Sequence, residues 1–346
     1  MNHRLLVRPL LVLLLVVSPA AAAVRVLDIE SKALLGNRTG DPAGQKVAVY
    51  LPPGYEENGA RYPVLYLLHG IGDSFDVWLE AWNVPAMLDR LIAGGKIEPL
   101  IVVMPNGRNR FGGGFYVNSP VTGRWQDYVA EEIVALVDRS FRTRAAPESR
   151  AVAGHSMGGY GAIRLGMERA DVFGTVFAMS PCCLDAVEDL GAANTGPWNA
   201  ALAFQSLEEV DAALRKRDFY AATIIGFLMS VFPEREAPMG TRLPFRRERG
   251  ELVAVEPLYT DFLQTFPMRT IDRSRENLLR LRGLAIDYGY ADQFPHIPAA
   301  SAAFSRELTE RRIPHLLDAY RGDHRELVPE RLEKVVLPWI NSRLER

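Results

Sequence analysis

Short apolar runs alternate with helix-length amphipathic stretches along most of this chain, and that alternation restricts the folds open to it. Val47 to Leu51, Val64 to Leu68, Leu100 to Met104, Arg150 to Gly154, Val172 to Met179, Leu284 to Tyr288 and His315 to Tyr320 are runs of strand length and character. Between them lie stretches of helical character. The first opens at Asn83-Val84-Pro85 and stops at Gly94-Gly95. Tyr128 to Phe141, Met157 to Met167, Ala299 to Arg311 and Pro329 to Leu344 follow. Strands separated by helices predict an α/β fold, a mostly parallel sheet covered on both faces.

The alternation breaks once. About 100 residues separate Pro181 from Leu281, against roughly 4–6 in an ordinary connection. Residues 181–281 are therefore expected to form an inserted lid over the carboxyl ends of the strands, where open α/β sheets bind ligands. Helical patterns at Leu207 to Arg215 and Phe219 to Phe232 fit that expectation. The α/β domain then comprises 24–180 and 282–346.

Residues 1–23 read as a leader. Arg4 and Arg8 precede the apolar run Leu10 to Val17, and Ser18-Pro19-Ala20-Ala21-Ala22-Ala23 supplies small residues for cleavage. The run is far shorter than the roughly 20 residues a membrane span needs. A secreted or periplasmic protein with no stable membrane span is expected. The remaining composition is that of a globular protein, 48% hydrophobic with a net charge of −2. That balance gives no basic footprint for nucleic acid. Cys182 and Cys183 are adjacent, which argues against a mutual disulfide and for buried thiols. No spacing of Cys, His or carboxylates suggests a metal site, and no cofactor is implied.

Gly154-His155-Ser156-Met157-Gly158-Gly159 lies between a strand and a helix. In that setting the G-x-S-x-G pattern is a tight turn that projects the serine hydroxyl above the sheet, at a helix amino end. With 28 Gly in 346 residues, chance puts glycine at both flanks of about one serine in 150. A serine needs a base, and the base an orienting acid. His324, after the last strand, is the expected base, with His296 its rival. His69 and His155 sit beside glycines in the two turns, where their rings need only pack. The acid should follow the preceding strand, in Asp287-Tyr288-Gly289-Tyr290-Ala291-Asp292; Asp292, past the strand end, is favoured over Asp287 within it. Acyl chemistry also requires amide donors for the oxyanion. The backbone N–H of Met157 is one, and the Ile71 N–H in His69-Gly70-Ile71-Gly72-Asp73 is the expected second.

Taken together, the His69-Gly70 turn, the motif from Gly154 to Gly159, Asp287-x-Gly289-x-x-Asp292-Gln293-Phe294 and Gly322-Asp323-His324 resemble the putative-esterase family of α/β-hydrolases. That family includes esterase D (S-formylglutathione hydrolase), feruloyl esterases and mycolyltransferases. The resemblance spans roughly 45–180 and 283–339. It implies an α/β-hydrolase fold, Asp292 as triad acid, and Ile71 and Met157 as oxyanion donors. An exported leader departs from a cytosolic S-formylglutathione hydrolase, and the long insert departs from compact members. The expected activity is hydrolysis of a small-molecule or carbohydrate-linked carboxylic ester through an acyl-enzyme on Ser156. Feruloyl, acetyl-sugar and short-chain esters all fit. The alternatives are acyl transfer to a sugar or lipid alcohol, and a non-catalytic binding module. The aromatic loop between Arg108 and Arg124 is read as a flexible surface loop with aromatics folded inward, or else as a wall of the pocket. Phe219 to Phe232 is read as lid core ahead of pocket lining.

Overall fold

The computed structural model describes residues 22–215 and 219–346, so the leader assigned to 1–23 lies, but for Ala22 and Ala23, outside the described residues. Eight strands form one sheet: β1 (Ala23–Glu30), β2 (Gly44–Leu51), β3 (Val64–Leu68), β4 (Ile101–Pro105), β5 (Arg150–His155), β6 (Thr175–Met179), β7 (Gly283–Gly289) and β8 (Leu316–Tyr320). Their spatial order is β1-β2-β4-β3-β5-β6-β7-β8. β1 pairs antiparallel with β2, and β2 with β4. Every other neighbour is parallel.

The central strands are apolar on both faces because both faces are covered. Along β3, Val64, Tyr66 and Leu68 point into one core while Leu65 and Leu67 point into the other. Helix α1 (Val84–Ala93) and a helical run over 328–341 cover the second face. A helical run over 125–140, α2, and the helix α3 (Met157–Glu168) cover the first. Asn83 precedes α1 in a left-handed conformation (φ 44°) and makes no side-chain cap, and the helix starts at Val84-Pro85 as expected. β1 was not anticipated, although Leu27-Asp28-Ile29-Glu30 alternates apolar and charged residues. Its register pairs Ala23 with Leu51 and Glu30 with Gly44; Val24 to Val26 are exposed, and half-buried and exposed side chains alternate from Leu27 to Glu30 at the sheet edge.

Between β6 and β7 the chain leaves the sheet. This insert contains the short helix Thr195–Ala201, the helix Leu207–Arg215, α4 (Phe219–Val231), a hairpin of Phe245–Glu248 with Glu251–Ala254, and three further short helices. The hairpin was not expected. Its strands carry Arg246, Arg247, Glu248 and Glu251, a charged pattern without strand alternation. α4 is apolar nearly all round, with Ala221, Ala222, Ile225, Leu228 and Met229 buried, as in a helix enclosed on several sides. Among the described residues no helix is long and apolar enough to cross a membrane.

Candidate active site

Ser156 stands between β5 and α3 with φ 58° and ψ −116°, a sparsely populated backbone conformation. Its amide donates to the Met179 carbonyl at 2.9 Å, anchoring the turn to β6. The flanking glycines are required by close approach. A Cβ on Gly154 would lie 2.4 Å from the Gly158 carbonyl carbon, and one on Gly158 would lie 2.1 Å from the Leu68 carbonyl oxygen. The turn is wedged against β3, and any side chain there would push it off.

His324 lies in the loop after β8, and Asp292 in the loop after β7. Their rings and carboxylates meet: His324 Nδ1 is 2.7 Å from Asp292 Oδ2, and both residues are buried. The other Asp292 oxygen accepts the Phe294 amide at 2.9 Å, which fixes the carboxylate's orientation. The two loops can approach because Gly289 has no side chain. A Cβ at Gly289 would stand 2.3 Å from the Gly322 carbonyl oxygen. Gln293 Oε1 accepts the His324 amide at 3.3 Å, a tie between the loops with no signal in the sequence beyond its place in the motif. Because Nδ1 is committed to Asp292, Nε2 is the nitrogen left for Ser156. His324 and Ser156 border one cavity of about 170 Å³, together with Gly70, Ile71, Asp73 and Arg325.

Asp287 goes elsewhere. Fully buried in β7, it pairs with Arg331 of the C-terminal helical run at 3.0 Å, and Arg331 also bonds Asp318 of β8. Burial pushes the Asp287 carboxyl up to about 7, against the opposing pull of Arg331. His296 begins the helix α5 (His296–Glu310) and pairs with Asp189 of the insert, not with Asp292.

The turn after β3 lies against the serine. A Cβ on Gly70 would be 3.5 Å from Ser156 Cβ. The Ile71 amide in that turn has no backbone acceptor among the described residues. The Met157 amide is the first of α3, where no intrahelical acceptor exists. Both amides are thus free to donate.

The two histidines expected only to pack are structural bridges. His69 Nδ1–H donates to the Gly70 carbonyl at 2.8 Å, and Nε2 accepts the Gly107 amide at 2.7 Å. Burial keeps this ring's pKa below the ordinary value, so it holds the neutral tautomer that both bonds require. His155 Nε2–H donates to the His324 carbonyl at 2.7 Å, and the two rings are 4.5 Å apart. Burial, and then the neighbouring His324 ring, hold His155 well below its usual pKa. It supports the His324 backbone from beneath without competing for protons.

A second, apolar cavity of about 60 Å³ opens from Ser156 on the side of the insert. Its walls include Ile71, Phe115, Cys182, Cys183, Leu190, Ile224, Phe227 and Phe294. α4 therefore serves both as insert core and as pocket wall, one face each. In the loop over 108–124 Phe111, Phe115 and Tyr116 are folded inward and buried, and Phe115, which also borders the cavity, meets Phe227 edge-to-face at 5.0 Å. Cys182 and Cys183 are free, buried thiols in the cavity wall, a position that nothing in their spacing indicated.

A family model described as Putative esterase matches residues 42–225, more than half of the chain. An endo-1,4-beta-xylanase/feruloyl esterase of Xylanibacter ruminicola is 37% identical over 137 residues, covering 38% of this chain and 18% of that protein. An esterase of Mycobacterium tuberculosis is 38% identical over 123 residues, 34% of this chain and 25% of that protein. The chain thus spans a quarter or less of the length of these relatives. Among solved structures, a ferulic acid esterase superposes with a TM-score of 0.64 at 21% identity, covering 94% of this chain and all of the other. An S-formylglutathione hydrolase of Staphylococcus aureus gives 0.61 at 19% identity, covering 93% of this chain and all of the other. At such identities the likeness concerns the fold, which is the α/β-hydrolase fold.

Proposed function

The chain belongs to the Putative esterase family, and from that premise we propose that it is a serine carboxylesterase working through an acyl-enzyme on Ser156. The observation that carries this reading is the 2.7 Å Asp292–His324 pair, set beside a serine in a strained strand-to-helix turn and bordering the same cavity. His324 Nε2 takes the Ser156 proton as Oγ attacks the ester carbonyl, and returns it to the leaving alcohol. Asp292 holds the imidazole in the required tautomer and stabilises its cation. The Ile71 and Met157 amides donate to the oxyanion, at a helix amino end that favours negative charge. Water then enters, is deprotonated by His324 and releases the acid. The apolar cavity takes the acyl group, and the polar mouth at Asp73, Gln293 and Arg325 takes the alcohol side. The insert over 181–281 acts as the lid that shapes the acyl side.

Turnover of p-nitrophenyl acetate and butyrate tests this reading. Ser156→Ala should lose on the order of 10⁴-fold or more in kcat and no longer label with a fluorophosphonate. A variant that turns over like the parent overturns it. We further read residues 1–23 as an export leader, and N-terminal sequencing of exported protein should find Ala23 or Val24 first. A mature chain still starting at Met1 would reject that part.

A further inference from the structure

A polar cavity of about 410 Å³ lies where α2 and α3 face the insert. None of its wall residues borders either cavity beside Ser156. The helix that opens at Ser156 reaches it with Arg164 and Glu168, roughly two and three turns further on. Arg164 is committed: its guanidinium bonds the Glu168 carboxylate and donates to the Thr265 carbonyl of the insert at 3.1 Å. Glu168, the only carboxylate on the wall, is spent on that pair. Arg273, an exposed residue of the insert on the same wall, has no ion pair among the described residues. Two guanidiniums and one carboxylate therefore leave the wall with one uncompensated positive charge. Gln126 of α2 is only 7% exposed, and its carboxamide has no hydrogen-bond partner among the described residues. Unlike sealed core atoms such as Tyr160 Oη and Thr175 Oγ1, its amide atoms keep contact with the cavity.

A carboxamide offers two donors and an acceptor, and a nearly buried one without protein partners takes them from whatever fills the space beside it. Water can serve any polar wall. What distinguishes this one is an uncompensated guanidinium on the same wall as unspent amide donors, Gln264 adding a second carboxamide. That set matches a negatively charged group with several acceptor oxygens. Val117 and Val231 are the only apolar members of the wall, so a hydrocarbon chain has little to bury against. We propose that this cavity is a binding site for a small oxyanion, a carboxylate or a phosphate group, with Arg273 supplying the charge and Gln126 a buried donor. An occupant there joins α2 to the insert. The site is separate from the ester chemistry and stands whether or not Ser156 forms an acyl-enzyme.

Calorimetric titration at constant ionic strength tests the proposal, with inorganic phosphate in one arm and glucuronate in another. Glucose, which lacks the carboxylate of glucuronate, is the neutral control. At least one oxyanion should bind the parent with a dissociation constant of about 1 mM or tighter, and glucose at least roughly tenfold more weakly. Binding of phosphate alone identifies a phosphorylated source and binding of glucuronate a carboxylate one; either supports the site. Arg273→Gln, a change at an exposed position, should weaken binding roughly tenfold. Gln126→Glu, which sets a second carboxylate on the wall, should abolish it. Thermal scans establish that each variant is folded, and Arg273→Gln carries the test alone where Gln126→Glu is not. The proposal is overturned if neither oxyanion binds the parent, if glucose binds as tightly as glucuronate, or if Arg273→Gln leaves the affinity unchanged.

Discussion

Asp292 spends both carboxylate oxygens, one on the His324 ring and one on the Phe294 amide. Replacing it with Asn keeps the shape but presents an amide that can turn its NH₂ to Nδ1, stabilising the wrong tautomer. Asp292→Asn is expected to lower kcat on p-nitrophenyl acetate about 10⁴-fold, with a melting temperature close to the parent's. Kinetics and a thermal scan on the same sample check both halves. Residue choice was legible in the sequence wherever local chemistry dictated it. A serine flanked by glycines after a strand needs little context. The distinction between Asp287 and Asp292 rested on position alone, and the tertiary reason is that Arg331, 39 residues beyond Asp292, draws Asp287 away. His155 and His69 were under-read because a backbone carbonyl or amide as a partner leaves no trace in composition.

At the level of elements, strands and helices flanking the site begin and end close to their apolar runs, since a doubly covered strand must be apolar throughout. β7 carries an exception in Asp287. Its carboxyl, raised to about 7 by burial, binds a proton more tightly folded than unfolded. Between about pH 4 and pH 7 the folded state holds more protons at this group, so its contribution to stability falls as pH rises through that window and levels above it. Chemical denaturation of the parent and of Asp287→Asn across pH 4–9 should show the parent's advantage shrinking up to about pH 7 and constant beyond. A difference that grows with pH would mean that the ion pair with Arg331 dominates the burial. The hairpin of the insert escaped the sequence reading because its charged strands have no apolar alternation to declare them, whereas β1 carries a short alternation, Leu27-Asp28-Ile29-Glu30, that was passed over.

At the scale of the whole molecule, the apolar cavity beside Ser156 is built by segments far apart in sequence. Phe227 of α4 packs against Phe115 at 5.0 Å and Phe266 at 5.7 Å while bordering the cavity. Phe227→Ala should cost about 3–5 kcal/mol of stability and extend the acyl chains accepted, moving the optimum of a p-nitrophenyl ester series to longer chains. A lowered melting temperature with an unmoved optimum would place Phe227 in the core alone.

From the sequence by itself came the α/β alternation and the glycine-flanked turn that sets Ser156 between a strand and a helix, because each is encoded in residues near one another in the chain. Tertiary structure alone decided that Gly289 lets the two loops meet, that Asp287 belongs to Arg331, and that His296 and Thr223 border the cavity beside the serine. Those are relations between segments tens to hundreds of residues apart. They depend on the distance of closest approach between backbones, which no local pattern carries.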